Sequence, residues 1–322
     1  PHFRPAQPDR AFGATLRFMF RTVILAASRS ATAERLAETA PLARGIVRRF
    51  VAGASVDDAL SVVGPLASAG LSVTLDRLGE DARIPEHADD ARAEYLRLLA
   101  RLSELELTPA SELSLKLSAL GQAFDRHLAY DHAYAICAAA TEAGTTVTLD
   151  AEDHTTTDAT LDVLARLRAD FPTTGAVVQA YLRRTEADCR ELATVGSRVR
   201  LCKGAYAEPE SVAFQGRLEV DRSYVRCLNA LMAGGGYPMI ATHDPRLIAI
   251  AEDRAKWFDR SRDQFEFQML YGVRPDEQRR LAAAGYTVRV YLPFGQQWYP
   301  YLMRRLAERP ANVRFLMRAL RR

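Results

Sequence analysis

The sequence has few residues of the types that bind metals or form disulfides. Its 322 residues include four cysteines and six histidines, without a CxxC pair or a cysteine and histidine pattern typical of zinc. His154, near Asp150 and Glu152, is a weak indication of a metal, and we predict no metal site. So few cysteines are typical of a reducing compartment, and we expect a cytoplasmic protein.

The sequence also lacks a long uncharged hydrophobic run and a large excess of one charge. The most apolar early stretch, residues 16–27, is interrupted by Arg17 and Arg21 and is shorter than the roughly 20 residues of a membrane span. We expect an amphipathic helix there, and at most peripheral contact with the inner face of the cell membrane through basic helices. The net charge of +3 gives no support to nucleic-acid binding.

Two nucleotide-binding motifs are absent. The chain contains neither GxGxxG nor GxxxxGK[ST], the glycine-rich turns that bind phosphates in dinucleotide-binding and P-loop proteins. A doubly wound sheet would usually carry such a turn after its first strand. Any nucleotide cofactor must therefore be bound in another way.

The pattern that is present alternates short apolar runs with longer helical segments. Residues 1–70 are rich in helix formers, notably at 30–38 and 56–68, and we predict a helical segment that packs on the domain formed by residues 71–322. Parallel strands buried on both faces give such short apolar runs, and eight of them predict a (β/α)8 barrel of the TIM type, in the α/β class. The predicted strands are residues 71–75, 113–117, 146–149, 175–180, 199–202, 238–241, 265–270 and 287–292.

Polar residues stand at the ends of seven of these strands. Barrel enzymes hold their catalytic groups there, and buried charges must be paired, so we expect the side chains to lie together. An ion-pair network that only stabilises the barrel is the alternative. The residues are Lys116, Asp150, Gln179, Arg200, Lys203, Thr242, His243, Glu266, Gln268, Arg289 and Tyr291.

Residue type alone leaves several roles open. Lys116 fits either a Schiff-base nucleophile or a fixed cation beside Asp150, and a neighbouring carboxylate favours the cation. His243 fits a general base or a hydrogen-bond donor. Residues 203–206 fit a phosphate cradle or a plain turn. Arg304 and Arg305, with Glu308 on the same helix face, fit a fork for a carboxylate or a solvated pair.

Taken together, five segments resemble the proline dehydrogenase family, in the family's order. The resemblance runs from about residue 71 to the C-terminus and is similar to the short monofunctional bacterial form. It implies an FAD-dependent oxidoreductase that converts L-proline to 1-pyrroline-5-carboxylate and passes electrons to a quinone. A separate pyrroline-5-carboxylate (glutamate semialdehyde) dehydrogenase would take the product. The segments are 115–120 (LKLSAL), 150–152 (DAE), 200–206 (RLCKGAY), 241–244 (ATHD) and 301–308 (YLMRRLAE).

The resemblance also implies roles for single residues. Asp150 and Arg200 would be the catalytic residues, with Asp150 paired to Lys116 and Arg200 near the flavin ring. Lys116 would bind the proline carboxylate together with Arg304 and Arg305, supported by Glu308. Proline would also contact Leu270, Tyr291 and Tyr301, and the FAD would contact Ala151, Gln179, Arg200, Lys203, Gly204, Ala205, Thr242 and His243.

Two other functions remain alternatives from the residues themselves. One is a Schiff-base aldolase that uses Lys116, and the other is a protein that binds a carboxylate without turnover. Bound flavin would argue against both.

Overall fold

A computed structural model describes residues 41–79 and 82–308 of the chain. These residues form a closed parallel barrel, in which each strand pairs with the next along the chain and the last pairs with the first. The strands are β1 (Ser72–Arg77), β2 (Ser111–Leu115), β3 (Val147–Leu149), β4 (Gly175–Gln179), β5 (Arg198–Cys202), β6 (Tyr237–Ala241), β7 (Glu266–Leu270) and β8 (Thr287–Phe294).

The described helices precede, connect and follow these strands. Two short 3-10 turns, Ser118–Leu120 and His154–Thr156, follow β2 and β3. The helices are α1 (Pro41–Phe50), α2 (Val56–Ser68), α3 (Pro85–Glu104), α4 (Arg126–Glu142), α5 (Thr157–Asp170), α6 (Thr185–Leu192), α7 (Arg217–Ala233), α8 (Pro245–Trp257), α9 (Pro275–Ala283) and α10 (Trp298–Glu308).

Alternate residues of the strands have opposite polarity, which separates two environments. Leu113 and Leu115 of β2 belong to an apolar core with residues of the surrounding helices, such as Leu98 and Ile136. The intervening positions are polar on several strands, and their side chains hydrogen-bond to one another across the barrel. The hydrophobic core thus lies between the sheet and the helices. The interior of this barrel holds polar side chains, whereas barrel interiors more commonly contain Val, Ile and Leu.

The predicted (β/α)8 fold is confirmed, and all eight predicted strands are present with shifted ends. The largest shifts, of two residues, concern β1, which continues to Arg77, β2, which begins at Ser111 and ends at Leu115, and β8, which continues to Phe294. β2 ends early because the 3-10 turn over Ser118–Leu120 follows, with Gly121 in the left-handed region at φ 105°. Lys116 therefore lies just beyond its strand.

The N-terminal prediction is tested only in part. The predicted helix at residues 56–68 matches α2, whose first turn is capped by Ser55 through the backbone N–H of Asp58. The predicted segments 16–27 and 30–38 lie outside the described residues, so the division at residue 70 stays a prediction. Within residues 41–79 and 82–308, no helix has both the length and the apolar composition needed to cross a bilayer.

Candidate active site

Lys116 lies between two carboxylates at the end of β2. Its Nζ is 2.6 Å from Oδ1 of Asp76 on β1 and 3.3 Å from Oδ2 of Asp150, which follows β3. All three side chains are buried, so the ammonium replaces lost hydration with charge-assisted hydrogen bonds. The predicted pairing of Lys116 with Asp150 is present, and Asp76 adds a shorter contact.

Asp150 accepts hydrogen bonds from four donors, which come from β2 and its end, from β5 and from β8. Its Oδ1 accepts hydrogen bonds from Ser114 Oγ at 2.7 Å and from Arg200 Nη1 at 2.8 Å. Its Oδ2 accepts from Tyr291 Oη at 2.7 Å and from Lys116. We call Asp76, Ser114, Lys116, Asp150, Arg200 and Tyr291 the lysine cluster.

The pKa values of the two carboxylates in the lysine cluster are shifted in opposite directions from their ordinary value. Burial would raise the pKa of Asp150, but Lys116, Arg200 and the hydrogen bonds from Tyr291 and Ser114 lower it. Burial raises the pKa of Asp76, and the nearby charge of Asp150 raises it further against the effect of Lys116. Asp150 therefore loses its proton at a lower pH than Asp76 does.

Arg200 joins the lysine cluster to a second layer of charge below it. Its Nε donates to Gln268 Oε1 at 2.5 Å, its guanidinium carbon is 5.2 Å from the centre of the Tyr291 ring, and its Nη2 is 3.6 Å from Glu112. The lower layer, which we call the glutamate cluster, contains Glu112, Arg198, Glu266 and Arg289. The expectation that Glu266 and Arg289 stand at strand ends with the other polar residues is therefore wrong, because Glu266 is the first residue of β7 and Arg289 lies within β8, in the lower layer.

The loops after β4 to β6 carry further polar groups at the same face of the barrel. His243 accepts a hydrogen bond from the Leu270 N–H at Nε2, at 2.9 Å, so the neutral ring carries its proton on Nδ1. Gln179 donates from Nε2 to the Glu152 carbonyl at 2.8 Å, and Thr242 Oγ1 accepts from the Asp244 N–H. These contacts orient three side chains at neighbouring strand ends.

Comparison with known proteins gives one consistent answer. A family model described as proline dehydrogenase matches residues 59–318. Proline dehydrogenase 1 of Bacillus subtilis is 37% identical over 94% of this chain and 99% of its own length, and proline dehydrogenase of Deinococcus radiodurans is 36% identical over 94% and 98%. The chain belongs to the proline dehydrogenase family.

Solved structures agree with this assignment. Proline utilization A (PutA) from Bdellovibrio bacteriovorus, inactivated by N-propargylglycine, superposes with a TM-score of 0.78 at 25% identity. The match covers 90% of this chain but 36% of the PutA chain, so this chain spans about a third of that protein. The likeness therefore concerns the barrel that members of the proline dehydrogenase family share.

The residue types at this face fit the flavin that proline dehydrogenases use. Gln179, Thr242, the Nδ1–H of His243 and the Arg200 guanidinium supply neutral and cationic donors for a polar ring edge and for phosphates. Gly204 has a φ of 107°, and a Cβ there would lie 2.2 Å from the Tyr181 ring. Only glycine leaves this backbone both unstrained and clear of Tyr181.

Lys203, which the sequence places in a possible phosphate cradle, is already paired with two carboxylates. Its Nζ is 2.5 Å from Asp221 and 3.3 Å from Asp244, the N-cap residue of α8, and Arg246 pairs with the same two carboxylates. Lys203 is therefore held within a mixed-charge group, and a contact with phosphate would use a third N–H of its ammonium. The predicted contact stays a prediction.

The C-terminal helix is described in part. Tyr301 of α10 is 6% exposed and packs in an apolar cluster with Phe50 and Leu78, so its predicted contact with proline stays a prediction. The side chains of Arg304, Arg305 and Glu308 lie outside the described part of the chain.

Among the described residues no group of histidine, cysteine and acidic side chains is arranged to hold a metal, and His154 pairs with Glu208.

Sequence reasoning did not find Asp76 or Ser114. The first predicted strand ended at Leu75, one residue before Asp76, although the polar Thr74 and Asp76 continue the alternation of a strand. Ser114 lies between two leucines inside a predicted strand, where a small hydroxyl seemed part of the run. Successive residues of a strand point to opposite faces of the sheet. Asp76 therefore shares a face with Thr74, and Ser114 shares a face with Lys116, which identifies both positions as inward-facing.

Proposed function

We propose that this protein oxidises L-proline to 1-pyrroline-5-carboxylate with bound FAD and passes the electrons to a quinone. Its membership of the proline dehydrogenase family gives the reaction class, and the lysine cluster is the observation that carries the proposal. The cluster provides a fixed, charged lysine at the barrel end where such enzymes bind their substrates. A separate dehydrogenase for the product is the expected partner.

The cationic groups bind the substrate carboxylate. We assign that role to Lys116 together with Arg304 and Arg305, with Glu308 orienting the arginines. The neighbouring carboxylate of Asp150 favours the protonated form of Lys116, which attracts an anion and does not attack a carbonyl. Leu270, Tyr291 and Tyr301 line the space for the ring.

Oxidation requires the proline nitrogen as a neutral amine. The C5–H bond then breaks, its electron pair leaves as hydride, and the nitrogen lone pair forms the C=N bond of the product. When bound, FAD supplies the hydride acceptor. Cations around the carboxylate favour loss of the amine proton, which solvent can accept, and hold the ring in place.

The cofactor site is proposed from the same face of the barrel. Ala151 follows β3 and Gln179 ends β4, and we assign Gln179 to the edge of the flavin ring. Arg200 would lie near the ring. The remaining contacts are assigned to Lys203, Gly204, Ala205, Thr242 and His243.

The direct experiment is a turnover assay with a soluble quinone analogue. Purified protein should reduce the quinone only when L-proline is present, and o-aminobenzaldehyde should trap the cyclic imine product. The aldolase alternative would be favoured if no product forms and if Lys116 forms an imine with an aldehyde substrate, which borohydride reduction traps as a stable adduct. Tight proline binding without product would favour the anion-binding alternative.

We expect Gly204→Ala to reduce flavin content at least several-fold. The alanine methyl would meet the Tyr181 ring in a backbone conformation that costs about 1 kcal/mol for a residue other than glycine. Gly196→Ala is the matched control, because Gly196 has a φ of 77° but nothing within 4 Å of its added Cβ. Flavin absorbance per protein should fall for Gly204→Ala and not for Gly196→Ala; equal content would count against the assigned cradle.

We also expect L-hydroxyproline to be a poorer substrate than L-proline. Tyr291→Ala should reduce the difference in kcat/KM between the two substrates. The Tyr291 side chain, fixed by its hydrogen bond to Asp150, would fill the space beside the substrate ring. One mismatched group in a pocket typically changes selectivity by about 10- to 200-fold. The ratio of kcat/KM for the two substrates measures this effect, with Tyr291→Phe as the variant that keeps the ring. An unchanged ratio in Tyr291→Ala would remove Tyr291 from the pocket.

A further inference from the structure

Asp76 is a carboxylate of the lysine cluster for which the proposed function gives no role. It lies in β1, is 1% exposed, and accepts a hydrogen bond from Lys116 at 2.6 Å. Burying a carboxylate this completely costs free energy unless a specific interaction compensates it. The contact with Lys116 is the interaction that does so.

The two carboxylates of the lysine cluster differ in their hydrogen-bond partners. Asp150 accepts four hydrogen bonds, two on each oxygen, which is about the full capacity of a carboxylate. It serves Arg200 as well as Lys116, and its distance to Lys116 is the longer one at 3.3 Å. Asp76 is thus the principal anion for Lys116.

Charge balance leads to the same conclusion. In the lysine cluster two carboxylates face two cations, Lys116 and Arg200. Without the charge of Asp76, Asp150 would be the remaining carboxylate of the lysine cluster for both cations, although Arg200 also lies 3.6 Å from Glu112. A buried cation that loses an anion at hydrogen-bonding distance becomes easier to deprotonate.

We propose that Asp76 is the positioning residue for Lys116: its carboxylate fixes the ammonium at the barrel end and keeps it charged and unreactive as an amine. The inference rests on the proposed function only in assigning Lys116 to the substrate carboxylate. Several charged or titratable groups act on Lys116 besides Asp76. They are Asp150 after β3, Tyr291 on β8 and Tyr95 on α3, with Arg200 on β5 acting through Asp150.

The first test measures the reactivity of Lys116 as an amine. Wild type and Asp76→Asn holoenzyme are treated with a small aldehyde and cyanoborohydride at pH 8, and alkylation at Lys116 is quantified by mass spectrometry. We expect about tenfold or more labelling in Asp76→Asn, since an adjacent opposite charge typically shifts a pKa by about 1–3 units. Asp276→Asn, which removes a 94% exposed carboxylate paired with Arg279, should label like wild type.

The second test measures anion binding against pH. Tetrahydro-2-furoic acid resembles proline but has a ring oxygen in place of the amine, so above pH 6 its binding reports only the ionisation of protein groups. Calorimetric titrations should show affinity falling at alkaline pH, with the fall in Asp76→Asn at least one pH unit below that of wild type. Asp76→Glu, which keeps the charge, should move back toward wild type.

The outcomes separate this inference from the proposed function. Labelling and pH dependence that match wild type in Asp76→Asn would overturn the inference, whatever the turnover. A wild type that does not oxidise proline would overturn the proposed function, while the labelling result would still decide the role of Asp76. If Asp76→Asn does not fold, Asp76→Ser removes the same charge with a smaller side chain and is tested in the same way.

Discussion

Replacing Lys116 with methionine should lower kcat/KM for L-proline by about 10- to 150-fold. A charge-assisted hydrogen bond contributes about 1.5–3 kcal/mol, and about 1.4 kcal/mol corresponds to a factor of ten. The variant also leaves two carboxylates, Asp76 and Asp150, facing Arg200 as the remaining cation of the lysine cluster, and the excess negative charge repels the substrate carboxylate. Steady-state kinetics with L-proline and a quinone analogue give the measurement.

A double variant separates this loss from damage to the fold. Lys116→Met combined with Asp76→Asn removes one charge of each sign, so the free energy of unfolding should return toward the wild-type value while activity stays low. Breaking a buried pair from one side costs about 3–5 kcal/mol, whereas removing both partners is often close to neutral. Activity in Lys116→Met above one fifth of wild type would contradict the assignment.

Replacing Glu112 with glutamine should destabilise the fold by about 3–5 kcal/mol, because it removes a buried carboxylate that three arginines face. Glu112 is 1% exposed and lies 2.7 Å from Arg198 and 3.6 Å from both Arg200 and Arg289. Urea unfolding of the variant should show this loss. Glu104→Gln, which changes a carboxylate 65% exposed and paired with Arg101, should change the unfolding free energy by less than about 1 kcal/mol.

The effect of Glu112 should also depend on pH. Burial would raise the pKa of its carboxyl group, but the three arginines outweigh burial and lower the pKa from 4.5 to about 2. A lowered pKa means that the stabilisation is complete above about pH 4.5 and is lost as the pH falls toward 2. The difference in unfolding free energy between wild type and Glu112→Gln should therefore shrink across that window. A constant difference, or one below about 1 kcal/mol at pH 7, would contradict the role assigned to the glutamate cluster.

The barrel could be predicted from the sequence because both of its faces leave a pattern. Outward positions such as Leu113 and Val288 are apolar, and inward positions such as Glu112 and Arg289 are polar, so each strand gives a short and recognisable run. Strand ends were harder to predict because no single residue fixes them. β2 ends where a 3-10 turn begins, and that turn depends on contacts made after folding.

The candidate site could be predicted in composition but not in geometry. Lys116 and Asp150 directly follow their strands, whereas Arg200 and Tyr291 lie within theirs, and closure of the barrel brings the four into one hydrogen-bonded group. The sequence could not show that Asp76 is nearer to Lys116 than Asp150 is, because that depends on the relative heights of three strands. Nor could it show that Lys203 pairs with two carboxylates, since Asp221 and Asp244 come from other elements.

The central claim is that the lysine cluster serves a flavin-dependent oxidation of L-proline. The visible absorption spectrum of the purified protein, recorded without oxygen before and after adding L-proline, tests it most directly. We predict a flavin spectrum that bleaches with L-proline and does not bleach with tetrahydro-2-furoic acid, which binds without offering an amine to oxidise. A flavin that stays oxidised with L-proline, or a protein that binds no flavin, would contradict the account.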